Sequence, residues 1–187
     1  MLIRVRLPNV VGPGLKVLFV GINPSLRSAD VGHHFARPGN RFYPALHAAG
    51  FTPRQLRPDE DGMLPRYGVG STNLASRPTR AADELSRAEL RAGAKELDAL
   101  VRRIEPRLVA VLGLGAYRTA FERPQATMGL QAERIGGRPV WVLPNPSGLN
   151  AHYKPAEFAR LYAEARLAAE RMAPGTAPPG EDRLPGD

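Results

Sequence analysis

Short apolar runs that lack a helical period occur at residues 17–22, 108–113 and 140–143. Runs of this length are typical of strands that are buried on both faces of a sheet. The stretch 68–74 predicts a further short strand, although its glycines weaken the pattern. A minor strand is indicated near residues 130–135. The pattern therefore predicts a sheet with four principal strands.

Apolar residues spaced three or four positions apart predict helices between these strands. The clearest helix begins at Ser86, which forms a capping box with Glu89 three residues later. The polar stretch 26–40 is predicted to be a long loop, and loops of that length are usually functional in compact domains. The predicted helices lie at residues 40–50, 86–105, 116–121 and from Pro155 onward.

Alternating strands and helices predict an α/β fold with a mainly parallel sheet. In such a sheet the loops after the first, second and fourth strands open at the same edge. A single domain is predicted over residues 1–173, in which residues 1–14 form a lead-in segment. The tail at 174–187 is rich in proline and glycine, which predicts disorder.

Composition excludes several classes of site. The chain of 187 residues has no cysteine, which excludes disulfides, iron–sulfur clusters and thiolate zinc sites. Its four histidines lack metal-ligand spacing, so no metal site is predicted. No apolar run is long enough to span a bilayer, and the amino terminus does not resemble a signal peptide. We therefore expect a cytoplasmic protein without a membrane partner, and a monomer by default.

The charge of the chain indicates the kind of partner. A formal net charge of +8 and a pI near 10.5 are typical of a domain that binds nucleic acid. The alternative is a solubility charge in an arginine-rich proteome, and composition alone does not separate the two.

The first strand ends at a polar residue that is a candidate for chemistry. Pro24 lacks an amide hydrogen and biases Asn23 toward an extended backbone, so the strand ends there. Ligands bind beyond the carboxyl ends of strands in open α/β sheets. Asn23 is thus predicted at the ligand-binding edge, although Asn-Pro is also a common turn dipeptide.

Two familiar cofactor motifs are absent. Gly113-Leu114-Gly115 follows a strand, but Arg118 stands where the dinucleotide fingerprint has its third glycine. No acidic residue follows at the required distance, and the chain contains no phosphate-binding loop with Lys-Ser or Lys-Thr. No cofactor is predicted.

The turn after the fourth principal strand carries an apolar residue at its tip. Leu149 lies between Gly148 and Asn150, just after Ser147. Proteins that kink DNA or flip bases insert apolar wedges of this kind into the duplex. The alternative is that Leu149 folds back into the core.

Two motifs, Gly21-Ile22-Asn23-Pro24-Ser25 and Asn145-Pro146-Ser147-Gly148-Leu149, resemble the signature motifs of mismatch-specific uracil–DNA glycosylases. These enzymes are bacterial relatives of thymine–DNA glycosylase within the uracil–DNA glycosylase superfamily. The resemblance runs from about Gly14 to Arg166 and includes residues 35–42 and 77–79. It implies a three-layer α/β/α sandwich with a four-stranded parallel sheet. It also implies hydrolysis of the N-glycosidic bond of uracil, or of a related damaged pyrimidine, flipped out of a mispair with guanine in double-stranded DNA.

The resemblance assigns roles to single residues. Asn23 matches the residue that positions the attacking water, and Phe35 matches the aromatic on which the flipped base stacks. Gly148 and Leu149 match the intercalating wedge, and Asn145 lies where the motif meets the sugar and base. The remaining substrate-binding candidates are Gly21, Ile22, Pro24, Ser25 and Asn40, and the remaining DNA-binding candidates are Arg77, Arg80, Ser147 and Asn150.

Three residues qualify the resemblance. Ser25 replaces the second glycine of the family motif, and Asn145 replaces the histidine of the fast uracil-only relatives. Asp83, in the loop after the second strand, stands where close relatives have asparagine. Its carboxylate is a candidate general base or a stabiliser of the sugar cation. The alternative is an interaction with a helix dipole.

Two other functions stay open at this point. A neutral Asn23 and the substitution at Ser25 are compatible with a damage-sensing module that flips or wedges bases without cutting. A hydrolase of free nucleotides is a third possibility, against which the wedge and the positive charge argue.

Overall fold

A computed structural model describes residues 6–175, and the prediction of a disordered tail falls almost entirely outside this range. Its centre is one five-stranded sheet with the order β2-β1-β3-β5-β4. Four strands are parallel, whereas β4 runs antiparallel to β5. The strands are β1 (Val17–Gly21), β2 (Val69–Asn73), β3 (Leu108–Leu112), β4 (Gly129–Ile135) and β5 (Arg138–Leu143).

Helices cover both faces of the sheet. The α-helices are α1 (Leu26–Val31), α2 (Phe42–Ala48), α3 (Arg87–Ile104), α4 (Leu114–Ala120) and α5 (Pro155–Arg171), and 3-10 turns occur at Pro58–Tyr67 and Ala82–Glu84. No helix among residues 6–175 combines the length and apolar character needed to cross a bilayer.

Alternate residues of β1 face two separate hydrophobic clusters. Phe19 belongs to the first cluster, with residues of α2 and α5, and its ring lies 5.3 Å from that of Phe42. Leu18 belongs to the second cluster, with α3 residues such as Leu97. Because side chains alternate along a strand, an apolar run such as β1 is buried on both faces. The predicted three-layer α/β/α architecture is confirmed.

The predicted number of strands was wrong by one. Residues 129–135 form a full fifth strand at the sheet edge, joined to β5 by the turn Gly136-Gly137. Its burial alternates along the chain, because only one face of this edge strand packs on the protein. The weak alternating pattern, with glycines at its ends, therefore indicated only a minor strand where the sheet has a full edge strand.

The predicted loop 26–40 contains a short helix, α1. Ser25 is its N-cap, and the Ser25 Oγ atom accepts a hydrogen bond from the Ser28 amide. Gly32 ends the helix at a φ of 74°, a left-handed conformation that glycine adopts at low cost. The serine that departs from the family motif thus has a local structural function.

The start of α2 also differs from the prediction. Arg41, not Asn40, is the N-cap residue. Asn40 contributes one position earlier, because its Oδ1 atom accepts a hydrogen bond from the Phe42 amide at 2.9 Å.

Candidate active site

A cavity of about 450 Å³ opens at the carboxyl edge of the parallel strands. The loops after β1, β2 and β5 meet there, as the parallel topology predicts. Most of the predicted site residues line it: Gly21, Ile22, Asn23, Pro24, Ser25, Phe35, Asn40, Arg80, Asn145, Ser147, Leu149 and Asn150.

The Asn23 amide is held in one orientation by the loop that follows β2. Its Nδ2 group donates to the carbonyl oxygen of Arg77 at 2.9 Å and to the Thr79 Oγ1 atom at 2.7 Å. The Thr79 hydroxyl donates in turn to the Ala81 carbonyl oxygen at 2.7 Å. A carbonyl oxygen only accepts, so this contact identifies the atom near Arg77 as nitrogen. The Asn23 Oδ1 atom is therefore the group left to face a ligand.

Phe35 supplies an aromatic wall and is itself rigidly supported. Its backbone has a φ of 55°, which is rare for a residue with a bulky side chain. Its ring stacks on Phe42 with centroids 3.9 Å apart. The next amide, of Ala36, donates to the Oγ atom of the buried Ser28 at 2.9 Å. Gly21 lies beside this ring and leaves room for Asn73, since a Cβ atom at Gly21 would lie 2.6 Å from the Asn73 Oδ1 atom.

Leu149 is 62% exposed at the rim of the cavity. The alternative that it folds back into the core is wrong. Gly148 packs closely on the segment that carries Phe35, because an added Cβ atom would lie 2.9 Å from the Gly39 carbonyl oxygen. The two walls of the cavity therefore contact each other through backbone.

One guanidinium group fixes the loop that carries Leu149. Arg41 donates to the carbonyl oxygens of Tyr153 at 2.6 Å and Ser147 at 2.9 Å, and to that of Asn150. The same group lies 4.3 Å from the centre of the Phe158 ring. Several hydrogen bonds from one planar guanidinium group to backbone carbonyl oxygens fix the backbone path of a loop, whatever its side chains are.

Three predicted residues do not line the cavity. The Arg77 guanidinium is paired with Glu89, with Nε and Oε1 atoms 2.6 Å apart, and this bond holds the pKa of Glu89 down at about 2. Asp83 is exposed in the 3-10 turn, directly after the lining residues Ala81 and Ala82. Gly148 is exposed behind the rim. Their proposed roles stay predictions.

The model of the family described as the uracil DNA glycosylase superfamily matches residues 8–166. The chain belongs to the uracil DNA glycosylase superfamily. Membership supports a hydrolase that acts on DNA. The fold is also similar to the solution NMR structure of a candidate uracil DNA glycosylase from Methanosarcina acetivorans, with a TM-score of 0.62 and 20% identity. That match covers 89% of this chain and 98% of the other, and at this identity it concerns the fold alone.

The cavity of this superfamily member contains residues that the sequence did not single out. Asn73 ends β2 beside Gly21, its register partner in β1, and carries an amide that both donates and accepts. Leu7 enters from the lead-in segment, and Arg37 and His152 lie on the lining as well. Asn73 could have been found as a polar residue at the carboxyl end of a strand. The glycines of β2 made that strand, and so its end, hard to recognise in the sequence.

The electrostatic character of the site is neutral to positive. Arg37 and Arg80 line it, whereas its lining in the described part of the chain includes no carboxylate. Residues 6–175 contain no group of three or more histidine, aspartate or glutamate side chains placed to hold a metal ion. Polar recognition in this cavity therefore rests on amides, hydroxyls, arginines and the imidazole of His152.

Proposed function

We propose that this protein is a mismatch-directed DNA glycosylase. It flips uracil, or a related damaged pyrimidine, out of a pair with guanine and hydrolyses the bond between the base and the sugar. The observation that carries the proposal is the Asn23 amide, whose Oδ1 atom is left free in a cavity that also contains Phe35 and Leu149. The cavity thus combines a hydrogen-bond acceptor for water, an aromatic ring for the flipped base and an apolar side chain for the gap that the base leaves in the duplex.

Asn23 orients the attacking water. Both hydrogens of its amide are donated to Arg77 and Thr79, so Oδ1 accepts a hydrogen bond from the water. A lone pair of the water oxygen then faces the sugar. The water oxygen bonds to C1′ as the C1′–N1 bond breaks, and the bonding pair departs with the base. The water releases a proton to solvent or to Asp83, and the anionic base later takes one up from solvent.

Amide donors stabilise the departing base. Asn145 uses its Oδ1 atom to accept from the Ser147 amide at 3.0 Å, which leaves its Nδ2 group as a donor toward base or sugar. Asn73, at the carboxyl end of β2, offers a second amide. Donors placed in advance where charge develops are a large source of catalysis. Neutral amides help less than a cation, so we expect a slow enzyme that needs a good leaving group such as uracil.

Leu149 enters the space that the flipped base leaves in the duplex, while Phe35 stacks on the base. An apolar wedge offsets part of the cost of unstacking, which is lowest at a mispair. Arg80, Ser147 and Asn150 lie near the rim, where contacts with phosphates would fix the register of the duplex. Asp83, just outside the lining, is proposed to stabilise the sugar cation or to accept the proton of the water.

The second candidate function is a damage sensor that flips bases without cutting them. The observation that favours it is the cavity lining, which contains no carboxylate to serve as a strong general base in the part of the chain described here. A sensor would keep Phe35 and Leu149 and have no need of an oriented water.

A labelled duplex with one G·U pair tests both functions. The protein is incubated with the duplex, and abasic sites are then cleaved with alkali. Strand breaks at the uracil are expected, and an otherwise identical G·C duplex is the control. A retarded but intact duplex would support the sensor, and neither breaks nor retardation would contradict both proposals.

A further inference from the structure

The lead-in segment runs along β2 and reaches the cavity. Val10 and Ser71 exchange two backbone hydrogen bonds of 2.9 and 2.8 Å in an antiparallel bridge. The Thr72 hydroxyl donates to the Asn9 side chain at 2.6 Å. Because the pairing is antiparallel, each step toward the amino terminus moves the segment one residue further along β2. Leu7 is thereby carried beyond the strand to the edge where the cavity opens.

A buried histidine anchors this segment next to Phe35. The His34 Nε2 atom lies 2.6 Å from the Pro8 carbonyl oxygen, so the ring donates from Nε2. The Nδ1 atom then accepts from the Ser71 hydroxyl at 2.9 Å. Burial lowers the pKa of His34, which favours this neutral form of the ring. The segment is thus attached to β2 and to the residue preceding the aromatic wall.

Leu7 differs from the other buried apolar residues. Its side chain is only 7% exposed, yet it belongs to neither hydrophobic cluster and instead lines the cavity. Gly21, Phe35 and Asn73 lie on the same lining. An apolar side chain that is buried beside a cavity determines its size and shape.

We propose that Leu7 is a specificity-determining residue, which forms a wall of the base-binding pocket and limits the size of the base that the pocket accepts. The inference rests on the proposed glycosylase function. With this role for Leu7 the lead-in segment is part of the site. The sequence alone indicated only a segment that precedes the first strand. The substrates that it discriminates are pyrimidines that differ in bulk on the ring.

The test measures excision from duplexes that differ only in the base opposite guanine: uracil, thymine, 5-hydroxymethyluracil and ethenocytosine. For each variant, kcat/KM on a bulky base is divided by kcat/KM on uracil, and this ratio is compared with that of the unaltered protein. The comparison cancels differences in leaving-group quality. Leu7→Ala is expected to raise the ratio about tenfold, the usual effect of a few methylenes in a pocket. Leu7→Phe is expected to lower it.

Leu167→Ala is the matched control, because Leu167 is 45% exposed on α5 and does not line the cavity. It should leave the ratio unchanged. An equal loss on all bases with Leu7→Ala, or a ratio within twofold of the original, would overturn the inference. If Leu7→Ala is too unstable to purify, Leu7→Val must change the ratio in the same direction. Absence of any excision by the unaltered protein would instead contradict the glycosylase proposal itself.

Discussion

Two regions of the cavity lining are held in different ways. The water-side turn, residues 22–25, presents Asn23, whose side chain is fixed by two hydrogen bonds from its own amide. The wedge loop, residues 145–150, presents Leu149, whose side chain is 62% exposed. Arg41 holds the backbone of this loop, and the side chains of Asn145 and Asn150 form hydrogen bonds within it, whereas the Leu149 side chain stays exposed. The water-side turn thus fixes the position of one oxygen atom of Asn23. The wedge loop fixes only where an apolar side chain stands.

This difference matches what each step requires. Orienting a water for attack depends on the position of one oxygen within a fraction of an ångström. Filling a gap in a base stack depends on apolar volume, which an exposed leucine side chain supplies. Loss of the Asn23 side chain should therefore affect turnover, whereas disturbance of the wedge loop should affect engagement of the duplex.

The largest expected effect is that of Asn23→Ala. This change removes the atom that is proposed to orient the water, and we expect kcat on a G·U duplex to fall by about 10²-fold. The dissociation constant for the duplex, measured by fluorescence anisotropy, should stay within about twofold, because no proposed phosphate contact is altered. Weaker binding that accounts for all of the lost activity would contradict the role of Asn23.

Thr79 offers a sharper version of the same test. Thr79→Val keeps the shape of the side chain but removes the hydroxyl that accepts from Asn23, whereas Thr79→Ser retains it. The valine variant should lower kcat and the serine variant should largely preserve it. Equal activity of the two would mean that the Arg77 carbonyl oxygen is sufficient to hold the amide.

An intermediate effect is expected for Arg41→Lys. An ammonium group cannot reproduce the planar fork that contacts three carbonyl oxygens, so the wedge loop should lose its fixed shape. We expect kcat/KM on a paired G·U duplex to fall about tenfold, which corresponds to the loss of one strong hydrogen bond. A bulged uracil, which needs no unpairing, should lose less.

A double-mutant cycle with Leu149→Ala separates this effect from general damage to the fold. If Arg41 acts through the wedge loop, Arg41→Lys should add little in the Leu149→Ala background. Equal losses on paired and bulged uracil, or fully additive effects, would show that Arg41 only supports the fold. Thermal unfolding of each variant provides the reference for stability.

The parts of the site that could be predicted are those that short segments determine. Asn23 follows a buried strand and precedes a proline, and Leu149 stands among small polar residues, so both positions are visible locally. Helix α1 was missed because six residues are too few to display an apolar period. The edge strand β4 was underestimated because only one of its faces is buried.

The unpredicted residues depend on pairings between distant segments. Leu7 reaches the cavity only because Asn9 and Val10 pair with β2 some sixty positions later. Thr79 contacts Asn23 only because the loops after β1 and β2 run side by side, joined by the bridge between Ser25 and Thr79. No local pattern contains either contact. Arg77 has such a distant partner as well, because its guanidinium pairs with Glu89 of α3, while its predicted contact with phosphate stays a prediction.

The smallest expected effect is that of Asp83→Asn, and it addresses a residue that belongs to neither region. Asp83 is exposed directly after the lining residues Ala81 and Ala82, and its proposed role is to act on the sugar cation through solvent. We expect turnover on G·U to fall roughly threefold, and more on thymine, a poorer leaving group that needs more positive charge on the sugar at the transition state. Duplex binding should not weaken, because a negative charge near DNA is removed.

Salt distinguishes the two proposed roles of this carboxylate. Stabilisation across solvent is screened, so the difference between Asp83→Asn and the unaltered protein should shrink as salt rises from about 0.05 to 0.5 M. Proton transfer at contact would keep the difference constant at all salt concentrations. Asp30→Asn, the same change at an exposed position of α1 that does not line the cavity, should leave turnover unaltered. An unchanged rate for Asp83→Asn would leave Asp83 no part in catalysis, and the amides would then have to support the whole reaction.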